Sequence, residues 1–395
     1  MRQSLQFDEL VRRNCARDDL STYDPYDIWK TNLGFRIKHF YNCHPHLGLL
    51  PAAALTVFDT FLNNGARIFY TPQEYPIVRA LAAQCLLNLC RNCPQDEYFT
   101  YAMRHLDWLK AHACTGNHGL GWGLRFRYAV AKDLIYDDNT PFSTMTPYVL
   151  EAFVQYSDLT GDRRYEQEIH GIYRFFAEDI QVMEDTKDTM ATSYVPRKDR
   201  IVINASSYAM WCFTLLLKFL GKEERAETER RVVKLYRFVQ RQQRSDGSWL
   251  YAPTPSSFID CFHSCIVLKN LYKTQRVVHL EGCETVISRG YEYVKNAFLD
   301  TKTGLYRRFS VANKPGLVTF DLYDNAEMLN LSTLLGDVEE AKRLQPIIKN
   351  TFCIDDDIYS QIVLGCLRRN KNTLRWAVMP YLYALTTINR VGSIQ

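Results

Sequence analysis

Residues 255–265 read PSSFIDCFHSC, with an aspartate and a histidine three apart at the start of a stretch that is otherwise apolar. At that spacing Asp260 and His263 are neighbours on one face of a helix. A carboxylate beside an imidazole orients the ring for acid or base work near neutral pH. The plainer alternative is that Asp260 caps a helix start, a position aspartate favours, and that His263 is a packed polar residue. Zinc binding by Cys261, His263 and Cys265 is disfavoured by angle. The two cysteines share a face, while the histidine lies about 160–200° away around the helix. No metal and no cofactor is expected.

A second cluster lies in DLYDNAEMLNL (321–331), where Asp324 and Glu327 stand one turn apart beside Tyr323 and Asn325. With Asp260, these residues supply the two carboxyl groups that glycoside hydrolysis requires, one acid and one base or nucleophile. Alternatively, His263 with Tyr323 or Tyr208 removes and returns the proton alpha to a uronate carboxylate, which is lyase or epimerase chemistry. Arg375 or Arg79 would then neutralise the carboxylate. The sequence leaves both readings open.

These residues need elements that bring them together, and the periodicity supplies them. Six markedly apolar helices are predicted, in 74–90, 146–159, 206–220, 259–272, 323–335 and 374–388. Amphipathic helices with charged faces alternate with several of them, and the starts recur about every 50–70 residues, as in helical-hairpin repeats. Helices apolar all round form an inner ring, and one-sided helices wrap it. The prediction is an all-α (α/α)6 toroid, one domain over 1–395, with short β-hairpins in the return loops. The last inner helix lacks a following partner, and the segment 24–41 is expected to close the ring.

In such a ring the inner helices begin at one end, so their polar openings converge on one funnel. Besides the clusters above, the openings contribute Glu74 and Arg79; Asp137, Asp138, Thr146 and Tyr148; Asn204 and Tyr208; and Arg375 and Trp376. Buried polar groups are costly unless paired or used, which makes their recurrence informative. GNHGLGWGLRFRY (116–128) follows a helix rather than a strand and has the wrong spacing for a dinucleotide loop. The plainer reading is a tight return loop; alternatively its Trp122 is a sugar-stacking platform at the rim, with Arg125 beside it. Phe238, Val239, Gln243, Gly247 and Trp249 match an aromatic–aliphatic–x3–Gln–x3–Gly–x–Trp pattern of α/α-toroid proteins, including terpene cyclases and protein prenyltransferases. There the element is structural: a Gln amide satisfies free backbone groups at a helix end.

The totals narrow the classes. The chain has 395 residues with a formal net charge of +4, which suggests neither a nucleic-acid groove nor a polybasic patch. The basic run 230–244 spreads its charges around an amphipathic helix. No stretch resembles a signal peptide, and none approaches the ~20 apolar residues of a membrane span. The longest, GLLPAAALTVF (48–58), is interrupted by Pro51. The twelve cysteines lie largely in apolar helical segments, which reads as reduced core residues in a cytoplasmic protein. The lone CxxC, Cys90 to Cys93, reads as a helix end before Pro94.

YDPYDIWKT (23–31), DDNTPFSTMTPYVLEAF (137–153), FIDCFHSCIVLKN (258–270), FDLYDNAEMLNL (320–331) and RRNKNTLRWAVMP (368–380) carry a resemblance over nearly the whole chain. The sequence resembles a family of bacterial proteins from capsule and O-antigen polysaccharide gene clusters. More distantly it is similar to the six-hairpin glycosidase, polysaccharide-lyase and sugar-epimerase toroids. The resemblance implies a carbohydrate-active protein acting on an oligosaccharide or polysaccharide precursor. The residues themselves point first to glycosidic-bond chemistry by Asp260 and Asp324, with His263, Tyr208 and Tyr323 assisting, and next to lyase or epimerase action. A glycan-binding or assembly protein without catalysis, and a terpene- or prenyl-processing enzyme using IDDDIYS (354–360), are the rivals. The label delta-aminolevulinic acid dehydratase, sometimes given to such proteins, implies alternating strands and helices, which this chain lacks. The chain also departs from N-acylglucosamine 2-epimerases: Trp376 and Pro380 stand in the last inner helix where a second histidine would be sought.

Overall fold

The computed structural model describes residues 2–90 and 97–392; Cys93 and Pro94 lie outside them. In chain order the helices are α1 (Arg2–Cys15), α2 (Asp27–Lys30), α3 (Asn32–Cys43), α4 (Pro45–Val57), α5 (Pro76–Leu89), α6 (Glu97–Ala111), α7 (Thr146–Thr160), α8 (Glu166–Arg174), α9 (Ile203–Leu216), α10 (Lys222–Arg241), α11 (Cys261–Gln275), α12 (Cys283–Ala297), α13 (Leu322–Leu335), α14 (Val338–Phe352) and α15 (Met379–Gly392). Helices α5, α7, α9, α11, α13 and α15 each pack on the next, and α15 packs back on α5. That is a closed ring of six inner helices. Their apolar residues are buried on every side because each helix meets two ring neighbours and an outer helix.

Five outer helices, α6, α8, α10, α12 and α14, each back the inner helix that precedes them. The sixth outer position is filled by α1, not by 24–41. Helix α1 packs on α5 and sets Cys15 Sγ against Met379 Sδ of α15 at 3.8 Å. The reason is amphipathy: α1 turns Val11 and Cys15 into the core and leaves Glu9 and Arg12 exposed. His105 of α6 holds the junction, donating from Nε2 to Cys15 O and accepting Arg79 Nη1 on Nδ1. Burial pushes its pKa down to about 4, so the ring stays neutral and keeps that acceptor.

Short strands fill the return loops: β1 (Tyr128–Ala131), β2 (Leu134–Tyr136), β3 (Val182–Asp185), β4 (Met190–Val195), β5 (Arg197–Ile201), β6 (Ile259–Asp260), β7 (Phe309–Val311), β8 (Val318–Asp321), β9 (Cys353–Ile354), β10 (Asp357–Val363) and β11 (Leu367–Lys371). All pairings are antiparallel. Two of them position the site. Asp260 of β6 pairs with Phe309 of β7, and Asp321 of β8 pairs with Gln361 of β10.

The Gln–Gly–Trp element behaves as expected. Gln243 Nε2 donates to Gly247 O and Val286 O, and Trp249 Nε1 donates to Val239 O. Gly247 has φ 91°, and a Cβ there would lie 2.4 Å from Arg289 O, so only glycine closes this loop.

Candidate active site

Asp260 is in extended backbone at the cap position of α11, yet its side chain caps nothing. Both carboxylate oxygens lie on His263 Nδ1, at 2.9 and 2.7 Å. The free N–H at the start of α11 is served from next door: Phe262 N–H donates to Asp324 Oδ1 of α13 at 3.0 Å. Because a neighbouring helix supplies the cap, Asp260 is free to hold the imidazole. With Nδ1–H donating to Asp260, Nε2 carries the lone pair. His263 keeps 20% of its side chain exposed and sits among Tyr251, Phe258 and Phe262. A water-sized pocket of about 10 Å³ opens between Asp260, His263, Tyr251 and Asn204. Asn204 is buried there with no partner on Oδ1.

Three tyrosines from three inner helices meet at the ring axis. Tyr148 (α7) and Tyr208 (α9) hydroxyls are 2.7 Å apart, and Tyr148 lies 3.5 Å from Tyr323 (α13). Burial, and then their mutual proximity, raises the pKa of Tyr148 well above that of a free phenol. The hydroxyls are therefore neutral donors and acceptors. Tyr323 stacks on Trp376 at 4.7 Å, and Phe262 meets both rings edge-on. Beneath the tyrosines, Glu327 pairs with Lys269, and Lys273 donates to Glu151 at 2.6 Å.

One wall is cationic. Arg308 lies over Trp376 and Phe262 and reaches Asp321 Oδ2 and the Tyr26 hydroxyl, each at 3.2 Å. Burial works to lower its pKa, but Tyr26, Asp321, Asp324 and Asp260 outweigh it and hold the guanidinium firmly charged. Asp321 caps α13 through Tyr323 N–H and also accepts Trp376 Nε1 at 2.9 Å and Gln361 Nε2 at 3.1 Å.

The remaining residues singled out in the sequence divide. Arg375 is ion-paired with buried Asp24 and lies over Tyr75, at the edge of the same cluster. Asp324 is fully buried. Its Oδ2 has no hydrogen-bond partner, and burial, with Asp321 and Asp260 nearby, raises its pKa well above the usual carboxylate range. It is a carboxyl enclosed by protein rather than one facing the mouth. Asn325 is likewise enclosed, bonding both backbone groups of Tyr306.

Trp122 is fully buried, donating from Nε1 to Leu109 O, and Thr146 accepts Trp122 N–H. Neither is a rim residue. Glu74 and Arg79 do not reach the ring axis: they bind each other and the Asp18–Leu20 backbone, fastening the segment after α1. Arg125, Asp138 and Glu74 line a separate surface groove of about 680 Å³ with Trp108 and His112, and exposed Asp137 faces Arg127. Asp355 and Asp356 form the exposed turn between β9 and β10, and Asp357 opens β10. The three edge an outer groove of about 820 Å³ whose lining mixes Leu10, Leu89, Tyr381 and Leu385 with Arg13 and Lys349, away from the ring mouth.

Sequence reading missed Arg308, Asp321, Tyr26 and Tyr251. Arg308 shares RR with exposed Arg307, and nothing local separates the two. Strand alternation is the one available signal, since adjacent residues point to opposite faces.

The ring and its polar openings define the (α/α)6 toroid class, and solved structures of that architecture match. Cellobiose 2-epimerase from Bacillus thermoamylovorans superposes with a TM-score of 0.62 at 10% identity, covering 81% of this chain and 88% of its own. A family GH76 α-mannanase from Bacteroides thetaiotaomicron gives 0.59 at 9%, covering 94% and 99%. A D-mannose isomerase gives 0.60 at 10%, covering 81% and 87%. At these identities the likeness establishes the fold. No family model matches the chain, and no curated protein does.

Proposed function

We propose that the chain is a carbohydrate-active enzyme in which His263, oriented by Asp260, moves a proton on a sugar bound at the toroid mouth. The observation that carries this is the two-oxygen contact of Asp260 on Nδ1, which leaves Nε2 as a fixed base at the partly open end of a buried cluster. Aromatic faces of Tyr251, Phe262 and Trp376 suit the apolar faces of a pyranose. Nε2 takes the proton alpha to a carbonyl or carboxylate. The enediolate oxygen is stabilised by Arg308. For isomerisation the His263 imidazolium returns its proton to the neighbouring carbon. For epimerisation the Tyr208 or Tyr323 hydroxyl delivers a proton to the opposite face, after which the phenolate and the imidazolium exchange protons through water to restore the resting state. That is epimerase or isomerase chemistry, with lyase action as the variant in which a leaving group departs from the beta carbon. Two of the structural neighbours are a 2-epimerase and a mannose isomerase. The resemblance to capsule and O-antigen cluster proteins supplies the setting, a cytoplasmic surface-glycan precursor.

Hydrolysis is the second reading, favoured by one feature: burial shifts the pKa of Asp324 upward, the direction a general acid needs. Against it, Asp260 is committed to His263 and Asp324 is enclosed.

One experiment separates the readings. Purified protein is incubated in D2O with mannose, cellobiose and uronate-containing oligosaccharides and followed by NMR. Deuterium entering carbon alpha to the carbonyl, lost in His263→Gln, supports proton transfer. New reducing ends without deuterium at carbon establish hydrolysis. Neither signal, with retained glycan binding, points to the non-catalytic assembly role.

A further inference from the structure

The helix α4 and the π-helical turn Phe58–Leu62 that continues it stand out from the rest of the surface. Of the sixteen large hydrophobic residues exposed among the described residues, nine fall within residues 33–69. Leu47, Leu50 and Leu62 are 71%, 78% and 73% exposed. Leu47, Leu50, Ala54 and Val57 recur at helical spacing and form one uncovered stripe. Pro51 does not stop the helix; Pro45–Leu62 runs on as 18 residues, apolar and mostly uncovered. The run read from sequence as too short to matter is thus long and apolar enough to meet a membrane.

Its attachment shows how. Helix α4 folds back on α3, and Gly48 permits the closeness, since a Cβ there would lie 2.4 Å from Tyr41 Cα. Near its start, Asn42 Nδ2 donates to Ala129 O of β1. Past its end, Arg369 Nε donates to Thr60 O, and Asn64 bonds Asn370. Both ends are therefore pinned to return loops around the toroid mouth. A helix held at both ends on one side cannot cross a bilayer; it can lie in its surface.

Charge selects the surface. Between Asp27 and Glu74 the only acidic residue is Asp59, buried and bonded by the Tyr70 hydroxyl. The hairpin itself carries exposed Arg36 and half-buried Lys38 on α3, and Lys314 and Arg127 reach its Tyr41 and Phe35 rings, Arg127 while also facing Asp137. Lys38 and Lys314 share the Tyr41 ring, each 5.7 Å from its centroid, and neither ion-pairs with a carboxylate among the described residues. Two ammonium groups over one ring, beside bare leucines, want phosphate oxygens and acyl chains together. A second copy of this chain would bring the same cations face to face.

We infer that the α3–α4 hairpin is an interfacial docking device that seats the toroid mouth on an anionic bilayer surface. The inference stands whether or not His263 moves a proton. It places the mouth where a glycan carried at a membrane surface would reach it. The test is co-sedimentation of the full chain with phosphatidylcholine vesicles, with and without about one-third phosphatidylglycerol. Wild-type protein should pellet with the anionic vesicles and be released by high salt. The Leu47→Glu/Leu50→Glu variant, altered only at exposed positions, should keep its Tm and lose at least about tenfold in partitioning. Arg36→Glu/Lys38→Glu should lose the preference for phosphatidylglycerol. Failure of folded wild-type protein to bind, or undiminished binding by the leucine variant, overturns the inference. So does a wild-type dimer in solution that the leucine variant abolishes, because the occupant is then a second copy.

Discussion

The openings of α11 and α13 are neighbours in the ring and begin alike, each with an aspartate in extended backbone before the first helical turn. They use it differently. At α13, Asp321 caps its own helix through Tyr323 N–H and spends its other oxygen on Trp376, Gln361 and Arg308. At α11, Asp260 caps nothing, because Asp324 reaches across to Phe262 N–H. One aspartate is consumed by structure; the other is released by a neighbour and turned onto a histidine. The type and position of a residue are therefore not enough to assign its role. What decides is whether another group has already met the backbone need that the residue would otherwise serve.

Asp260→Asn sharpens this contrast most. The amide still accepts from His263 Nδ1–H, so stability should change by less than about 1 kcal/mol. Turnover, measured as deuterium entry in the assay above, should fall about 10²–10⁴-fold, the usual worth of an oriented acid–base group. Similar losses of activity and stability would mean that α11 depends on Asp260 as α13 depends on Asp321.

Asp321→Ala should do the reverse. It strips a buried carboxylate from a helix cap, an indole, an amide and Arg308, and leaves that guanidinium without its closest carboxylate. A loss of about 3–5 kcal/mol is expected in urea unfolding. If Asp321→Ala were as stable as Asp260→Asn, the division of labour between the two openings would be wrong.

The ring itself was legible because apolar helices with no polar face have only one place to go, and six of them alternating with one-sided helices close on themselves. The Asp260–His263 contact was legible because i,i+3 spacing fixes it. What the sequence hid are facts about partners distant in the chain. Asp324 looks like a carboxylate at a helix start, and only the packing of α11 shows that it is enclosed and serving another helix. Trp122 reads the same in a glycine-rich loop whether it is buried or exposed. Trp249, which likewise donates its Nε1 to the carbonyl of a preceding outer helix, was the available hint. Segment 24–41 reads as the missing outer helix because the last inner helix has no outer partner after it in the chain. Its Asp24 and Tyr26 instead reach Arg375 and Arg308 at the mouth, and the shorter α1 takes the outer place.

Asp324→Asn gives the smallest effect and the sharpest sign. Burial, with Asp321 and Asp260 nearby, raises the pKa of Asp324, so the folded chain holds a proton that the unfolded chain releases above about pH 4. A carboxyl whose folded pKa is raised contributes a cost that is absent below the unfolded value and grows as pH rises toward the folded value. Asparagine keeps the acceptor for Phe262 N–H and cannot ionise. The variant should therefore match wild type in stability near pH 4 and exceed it at pH 7, by about 1.4 kcal/mol for each unit over which the native carboxyl stays protonated. Urea midpoints across that range measure it. Were Asp324 instead the working acid of a hydrolase, the variant would gain the same stability and lose all release of reducing ends. The activity of one stable variant thus separates an enclosed helix cap from a catalytic group, the same distinction that sets Asp321 apart from Asp260.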